Sequence, residues 1–296
     1  SLFCRTSGLG LDLFHFFVRM KYPPYAVARA QGILGHLTAE KLDHICDQIT
    51  KDGYYVFPDS IPENVIQSLH AITKENPATP DKTSNSGPTF YHPENPEAAR
   101  YFYTEAQLIR YPVAREILTD SSILAVAQRY LKCAPIIDIF SLGWSTAYPH
   151  ENLADAAQMY HFDLDRLRWL KFFIYLTDVD TNTGPHCYIQ NTHRPFTIPA
   201  PILAKNYARV TDEELLKYYP ADRFKELNAK RGTIMAVDTR GLHKGKPLNH
   251  GHRLLWGMEF CDHLVGAAFE KVKLPQVAAS AMQSALTQYP RVYSKF

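Results

Sequence analysis

The sequence predicts a mainly β protein, either a β-sandwich or a jelly roll, with helices packed on one side. From about residue 136, short segments rich in β-branched and aromatic residues are separated by turn residues, which is typical of strands. Earlier in the chain, apolar residues recur instead at helical spacing. With 296 residues, of which 46% are hydrophobic, the chain is long enough to bury the core that such a fold requires.

The first expected element is a helix over residues 9–18. This apolar stretch is too short to span a bilayer and is interrupted by Asp12 and His15. We therefore expect no membrane span, and instead an amphipathic helix packed on the main domain. The next helix begins after Thr38, a suitable N-cap, and leads into a short strand over residues 54–57.

The middle of the chain continues the helical pattern around one long loop. A helix is expected over residues 62–74, and helical spacing returns between residues 98 and 130. Between them, residues 76–96 contain five prolines among Asn, Ser, Thr and Gly, so we expect a loop there. Long loops in compact domains are often functional lids.

The second half of the chain is expected to supply six strands, with helical stretches near residues 200–228 inserted between them. We expect one domain over residues 46–262, a helical extension over residues 1–45, and a C-terminal extension over residues 263–296 that packs on the core. The expected strands cover residues 136–146, 159–164, 169–176, 186–189, 232–237 and 253–260.

Charge and cysteine usage argue against several classes of protein. The 32 basic and 30 acidic side chains give a net charge of +2, which supports neither nucleic-acid binding nor attraction to an anionic membrane surface. The five cysteines are scattered and form no CxxC pair or disulfide framework. We therefore expect reduced thiols and a cytoplasmic location.

The most informative residues are His161 and Asp163, which lie two positions apart in an expected strand. Alternate side chains of a strand share a face, so both can bind one metal ion. The later His243 would complete a two-histidine, one-carboxylate triad, which leaves three positions of an octahedral Fe(II) open for a co-substrate and O2. Arg253 would then bind a dicarboxylate that lies on the iron.

The context of the pair matters, because 13 histidines and 30 acidic residues make chance His-x-Asp matches common. A charged Asp163 in an apolar strand is costly to bury without a partner. Residues 232–238 form another expected strand that runs towards His243, and a turn-rich loop then leads to the strand that opens at Arg253.

These segments resemble the phytanoyl-CoA dioxygenase family of Fe(II)- and 2-oxoglutarate-dependent oxygenases. The resemblance covers roughly residues 50–262, although Thr183-Gly-Pro-His186 and Asn191-Thr-His193 depart from the usual family pattern. The matching segments, in the expected order, are Asp52-Gly-Tyr-Tyr-Val-Phe57, Gln158-Met-Tyr-His-Phe-Asp163, Leu176-Thr-Asp-Val-Asp-Thr-Asn-Thr-Gly-Pro185, Asn191-Thr-His-Arg194, and His243-Lys-Gly245 through Arg253.

The resemblance implies a double-stranded β-helix, a cupin-like jelly roll, as the core. It implies His161, Asp163 and His243 as ligands of iron, Arg253 as the ligand of the distal carboxylate of 2-oxoglutarate, and Gln158 as a weaker co-substrate candidate. It further implies hydroxylation of a small organic substrate with release of succinate and CO2. Related halogenases carry a small residue in place of the carboxylate, so the presence of Asp163 favours hydroxylation or desaturation over halogenation.

Several residues compete for these roles. Asp165 would share the strand face of His161 and Asp163, although a substrate contact or a salt bridge is the stronger expectation. His250 and His252 compete with His243, but they lie so close to Arg253 that we expect them in a solvated loop. Lys171 interrupts an apolar strand, where it either reaches a substrate or co-substrate anion or, from an edge position or by outward extension, stays in solvent.

Two other classes of function stay open from the residues alone. The same three ligands could hold Zn(II) or another metal in a cupin-like protein without oxygenase activity. A binding protein that keeps the fold without turnover is the second alternative. The resemblance admits acyl-CoA thioesters, amino acids and natural products as substrates, and the sequence does not select among them.

Overall fold

Two antiparallel β-sheets form the core of the fold. The computed structural model describes residues 2–27, 29–81, 86–148, 158–164, 166–206, 209–266 and 268–296. Within these ranges there are a seven-stranded major sheet, a three-stranded minor sheet and a two-stranded ribbon. The strands in chain order are β1 (Gln31–Gly32), β2 (Gly35–His36), β3 (Tyr54–Ser60), β4 (Thr79–Pro80), β5 (Arg100–Tyr103), β6 (Ile136–Thr146), β7 (Trp169–Tyr175), β8 (His186–Ile189), β9 (Phe224–Leu227), β10 (Thr233–Val237), β11 (His243–Gly245) and β12 (His252–Cys261).

The major sheet has the strand order β3-β10-β7-β12-β6-β5-β4. Its centre is β12, which pairs with β7 on one side and with β6 on the other. Lys171 is opposite Glu259, Phe173 is opposite Gly257, and Gly257 is in turn opposite Ser141. Because directly opposed residues of paired strands share a face, these five residues lie on one side of the sheet.

The minor sheet has the order β11-β8-β9 and places His243 opposite Tyr188. An isolated bridge between His161 and His243 joins the segment that follows residue 158 to β11. The mainly β architecture with flanking helices is therefore the jelly roll that the sequence predicts.

Helices pack against the major sheet and against one another. Helices α3 and α7 pack against each other and reach β3 and β7 respectively. Thr38 is the N-cap of α3, as expected, and its hydroxyl accepts a hydrogen bond from the amide of Lys41. The helices are α1 (Leu2–Thr6), α2 (Leu9–Lys21), α3 (Ala39–Asp52), α4 (Glu63–Glu75), α5 (Glu105–Leu108), α6 (Pro112–Leu118), α7 (Ser121–Leu131), α8 (Ala200–Ala204), α9 (Asp212–Leu215) and α10 (Gln276–Gln288), with a 3-10 turn at Ala221–Arg223.

Four expected elements differ in the structure. Residues 159–164 do not form a strand; single bridges at Tyr160 and His161 replace the continuous ladder. The helical stretch predicted from residue 98 begins with a strand, β5, and the stretch near residues 200–228 ends in another, β9. The loop predicted over residues 76–96 contains sheet contacts: β4 pairs with β5, and Ala78 forms an isolated bridge with Thr89.

Helix α2 contacts the core by Leu11, His15 and Val18, so it packs on the main body of the protein as predicted. No helix in the described part of the chain is long and apolar enough to cross a membrane. All five cysteines are free thiols, three of them buried.

Candidate metal centre and adjoining cavities

Backbone hydrogen bonds hold the segment that contains His161 and Asp163 against the segment that contains His243. The amide of His161 donates to the carbonyl of His243 over 3.0 Å, and the amide of His243 donates back to His161 over 2.8 Å. Two residues further on, the amide of Asp163 donates to the carbonyl of Thr239 over 2.9 Å. These three bonds hold side by side two segments that are about eighty residues apart in the sequence. They do so without a regular strand over 159–164.

The side chains of His161, Asp163 and His243 converge on one point. One donor atom from each lies within 4.8 Å of the other two. Nε2 of His161 is 3.8 Å from Oδ1 of Asp163, and Nε2 of His243 is 3.7 Å from Oδ2. Among the described residues, this is the sole group of three or more His, Cys, Asp or Glu side chains arranged in this way.

The two imidazoles are oriented by the backbone. Nδ1 of His161 donates to the carbonyl of Met159, and Nδ1 of His243 donates to the carbonyl of Gly241, each over 2.9 Å. A carbonyl can only accept, so each Nδ1 carries the proton and each Nε2 presents its lone pair towards Asp163. Metal-binding histidines commonly have their second nitrogen held in this manner.

The protonation states also suit a cation. Burial, with a smaller effect of the neighbouring His243, lowers the pKa of His161 to about 3. Burial likewise lowers the pKa of His243. Burial alone would raise the pKa of Asp163, but the charge of Lys171, its hydrogen bond to the carboxylate and the neighbouring imidazoles outweigh burial and lower that pKa below its usual range. At neutral pH the cluster therefore holds neutral imidazoles and an ionised carboxylate, the forms that bind metals.

Lys171 belongs to this centre. Its Nζ donates to Oδ2 of Asp163 over 2.7 Å and lies 3.3 Å from Oε2 of Glu259, a buried residue on β12. Of the two interpretations that the sequence left open, outward extension to solvent is thus wrong: the ammonium points inward, at the carboxylate of the cluster. The pairing of β7 with β12 places it there, and the sequence gives no direct sign of that pairing.

Arg253 lies in a cavity of about 150 Å³ beside the cluster. Its guanidinium is 8% exposed and donates one hydrogen bond, from Nη2 to the hydroxyl of Ser145 over 3.2 Å. Nε has no hydrogen-bond partner among the described residues, and no carboxylate among them forms an ion pair with Arg253. The cavity is lined by Arg100, Ser145, Gln158, His161, Phe173, His186, His243, Gly245, Lys246, Leu248 and Arg253.

This environment favours an anion in the cavity. Burial lowers the pKa of Arg253, because a charged group loses hydration there. A buried cation without an acidic partner is costly unless a ligand supplies the counter-charge. Arg253 and Gln158, which the sequence suggested as co-substrate contacts, both line this cavity, whereas Ser145, directly opposite Arg253 in the sheet, was not predicted.

His186 lies against the cluster in the same cavity. Its ring stacks on that of His243 at a centroid distance of 5.5 Å and contacts Phe173 at 5.2 Å. Its Nε2 is buried and has no hydrogen-bond partner in the part of the chain that the structure describes. This residue thus offers one unused polar atom to whatever occupies the cavity.

A second cavity, of about 110 Å³, adjoins the cluster on the other side of Phe173. Lys171, which contacts Asp163, forms part of its wall. At Gly257 a Cβ atom would lie 3.1 Å from Oγ of Ser141, so any side chain there would narrow the space. We name this cavity the trough; it is lined by Ile139, Ser141, Lys171, Phe173, Gly257, Met258 and Glu259.

The two competing histidines named from the sequence, His250 and His252, are not in the cluster. His250 is exposed. His252 was expected in a solvated loop, which is wrong: it starts β12, is half-buried and packs edge-on against Trp144. Asp165 lies outside the described residues.

Comparison with known proteins supports the fold. No protein-family model and no curated protein matches the sequence. Solved structures do match, at low sequence identity. The non-heme alpha ketoglutarate dependent epimerase SnoN from nogalamycin biosynthesis superimposes with a TM-score of 0.56 and 14% identity, over 80% of this chain and 96% of that one.

Two further structures give the same result. EctD from S. alaskensis, in its apoform, has a TM-score of 0.54 and 18% identity, over 81% of this chain and 80% of that one. HygX from Streptomyces hygroscopicus with nickel and 2-oxoglutarate bound has a TM-score of 0.51 and 15% identity, over 80% of this chain and 97% of that one. At this identity the likeness shows a shared jelly-roll fold, and the chemistry has to be argued from the site.

Proposed function

We propose that the protein is an Fe(II)- and 2-oxoglutarate-dependent oxygenase that acts on a small organic molecule. The observation that carries the proposal is the combination of two features around one cavity. His161 and His243, which form a metal-binding donor set with Asp163, line the cavity, and the buried cation of Arg253 lies in the same cavity without a carboxylate partner among the described residues.

The residues fit an iron ion. Two neutral imidazoles and one carboxylate are the donors of the facial triad that non-haem Fe(II) oxygenases use. With 2-oxoglutarate and O2, Fe(II) held there supplies the oxidation of an unreactive C–H bond, with succinate and CO2 as the co-products. Backbone carbonyls hold both imidazoles and Lys171 holds the carboxylate, so the donor set is oriented in advance.

Arg253 suits the distal carboxylate of 2-oxoglutarate. Its planar guanidinium can form two parallel charge-assisted hydrogen bonds, which lysine cannot. Ser145, at 3.2 Å, orients the guanidinium and can donate its own hydroxyl hydrogen to the same carboxylate. Gln158 lines the cavity and is a weaker candidate for contact with the co-substrate. The structures of SnoN and HygX that superimpose on this chain hold alpha ketoglutarate and 2-oxoglutarate, respectively.

The trough suits the substrate. It reaches the cluster through Lys171 and lies on the opposite side of Phe173 from Arg253, so substrate and co-substrate need not compete for space. Its lining combines an ion pair, a hydroxyl and apolar side chains, which favours a molecule with both polar and apolar parts. Because Asp163 keeps its carboxylate, we propose hydroxylation as the reaction.

The remaining assignments follow from the same proposal. We place the protein in the phytanoyl-CoA dioxygenase family, with the oxygenase domain over residues 46–262 and the two extensions on either side. Buried polar contacts of α2, such as that of His15 with Asp262 at 2.6 Å, fit an N-terminal extension attached to this domain. Free thiols at all five cysteines fit a cytoplasmic location.

Turnover tests the proposal. Purified protein supplied with Fe(II), 2-oxoglutarate and O2 should form succinate, faster when a screened compound is a substrate, and should lose this activity on His161→Ala. Succinate is the readout because the reaction releases it whichever molecule is oxidised. Tight binding of Zn(II) together with no consumption of 2-oxoglutarate under any screened condition would favour the non-oxygenase alternative instead.

A further inference from the structure

Helix α2 has its apolar side exposed. Along this helix the spacing i, i+4, i+7, i+8 and i+11 lines a single side. Every residue at these positions is a large apolar one, and each is between 51% and 73% exposed: Leu9, Leu13, Phe16, Phe17 and Met20. We name this set the α2 face. Large apolar side chains gathered on one exposed surface mark an interaction site.

The opposite side of α2 is attached to the protein by polar contacts. Nδ1 of His15, which is 4% exposed, is 2.6 Å from Oδ2 of Asp262. Oδ1 of Asp12 accepts hydrogen bonds from Arg168 at 2.8 Å and from Arg240 at 3.4 Å. Turning the α2 face inward would break the buried pair of His15 and the partly buried contacts of Asp12, so the helix is held with its apolar side outward.

Cations flank the α2 face. Arg19 and Lys21 are exposed in the last turn of the helix, and Arg5 is exposed on α1. Asp12 is the single acidic residue in residues 2–21, and its contacts with Arg168 and Arg240 neutralise it. The net charge of +2 for the whole chain hides this local arrangement, which is why composition did not predict it.

We propose that the α2 face binds a membrane surface that contains anionic lipids. Leucine, phenylalanine and methionine on one side of a helix enter the boundary between head groups and acyl chains, while flanking arginine and lysine contact lipid phosphates. Phe196 adds to the apolar surface: it is 71% exposed, and its amide donates to Ser7, in the turn between α1 and α2.

A second copy of the chain fits this surface less well. Two α2 faces packed together would bring Arg5, Arg19 and Lys21 of both copies close to one another, with no acidic side chain of α1 or α2 available to pair with them. Like charges that meet in an interface cost free energy, whereas lipid phosphates supply the missing counter-charge. The inference does not depend on the proposed enzymatic function.

Sedimentation with vesicles tests the inference on the full chain. The wild type should co-sediment with vesicles of equal parts phosphatidylglycerol and phosphatidylcholine, and Leu13→Glu/Phe17→Glu should remain in the supernatant. Both changes are at exposed positions, so the circular dichroism melting curve should be retained. The matched control is Val277→Glu, which adds a charge at a residue 76% exposed on α10 and should bind like the wild type.

The charges are tested separately. Arg19→Gln/Lys21→Gln should bind the mixed vesicles about fivefold more weakly for each charge removed. The inference is overturned if the wild type stays in the supernatant with mixed vesicles. It is also overturned if analytical ultracentrifugation shows a wild-type dimer that Leu13→Glu/Phe17→Glu dissociates, because the occupant is then a second copy.

Discussion

Nζ of Lys171 donates a hydrogen bond of 2.7 Å to Oδ2 of Asp163, the carboxylate of the candidate metal centre. The same ammonium lies 3.3 Å from Oε2 of Glu259 on β12, so one cation on β7 contacts two buried carboxylates. The contact keeps Asp163 ionised and restricts its rotation. We therefore propose Lys171 as a positioning residue for the proposed metal ligand Asp163, and its removal should affect metal binding before any chemistry.

The first prediction concerns this contact. Lys171→Met should weaken binding of Mn(II) by roughly 10- to 100-fold, the usual cost of losing a group that orients a metal ligand. Isothermal titration calorimetry of the protein with Mn(II) measures it without turnover. Lys230→Met is the matched control, since Lys230 is exposed and pairs with Asp178 away from the site. An affinity for Mn(II) unchanged by Lys171→Met would remove this role from Lys171.

The second prediction concerns the anion site. Arg253→Gln should weaken 2-oxoglutarate binding by at least about 100-fold, because two charge-assisted hydrogen bonds of about 1.5–3 kcal/mol each are lost. In thermal melts with Mn(II) present, 2-oxoglutarate should raise the Tm of the wild type but not of this variant. Lys246→Gln changes another cation of the same cavity, one already paired with Glu226, and should keep the shift. Equal shifts in wild type and Arg253→Gln would contradict the assignment.

The third prediction distinguishes the proposed metal ligands His161 and His243 from the competing residue His250. His161→Ala and His243→Ala should each lose Co(II) binding, monitored by the visible absorption of the bound ion, together with succinate formation. His250→Ala should retain both, because His250 is exposed and outside the cluster. Retention of stoichiometric Co(II) binding by either of the first two variants would show that the cluster is not the metal site.

The fourth prediction concerns pH and a buried histidine remote from the cluster. Burial lowers the pKa of His193 to about 4, and its Nε2 donates to the carbonyl of Thr50 over 3.1 Å. The folded state keeps His193 neutral while the unfolded state protonates it below its ordinary value of 6.5. Its contribution to stability is therefore complete above about pH 6.5 and falls by about 1.4 kcal/mol per pH unit down to about pH 4.

Urea denaturation of the metal-free protein at several pH values measures this effect. Gln at position 193 can still donate to Thr50 but does not titrate. The free energy of unfolding of the wild type minus that of His193→Gln should thus shrink by about 1.4 kcal/mol per pH unit below pH 6.5. A difference that stays constant between pH 7 and pH 5 would contradict a neutral buried His193.

The strands of the major sheet were predictable because their residues are β-branched or aromatic and lie between turn signals; residues 136–146 match β6 without any shift. The segment 159–164 was not, since isolated long-range bonds hold it in place, with Tyr160 bound to Val210, His161 to His243 and Asp163 to Thr239. Local propensity does not encode such a long-range pair. Strand β9 was missed for the same reason: its pairing with β8 overrides a helical pattern.

The candidate site, like the fold, was only partly predictable from the sequence. Residue type and order were enough to select four candidate site residues, because the chemistry of each side chain is recognisable from the sequence. These are His161, Asp163, His243 and Arg253. Lys171 and Ser145 could be recognised as site residues only from the register of the sheet, because the register determines which residue lies opposite each of them. For α2, the sequence predicted an amphipathic helix but not its orientation, which the contacts of Asp12 and His15 determine.

The central claim is that one site binds Fe(II) and 2-oxoglutarate together, and an anaerobic absorption titration tests it most directly. Addition of 2-oxoglutarate to the Fe(II)-loaded protein without O2 should produce the weak visible metal-to-ligand charge-transfer band, saturating at one equivalent. Arg253→Gln should need far more 2-oxoglutarate to develop the full charge-transfer band, and His243→Ala should not develop the band. A protein that binds Fe(II) but develops no such band at saturating 2-oxoglutarate would contradict the account.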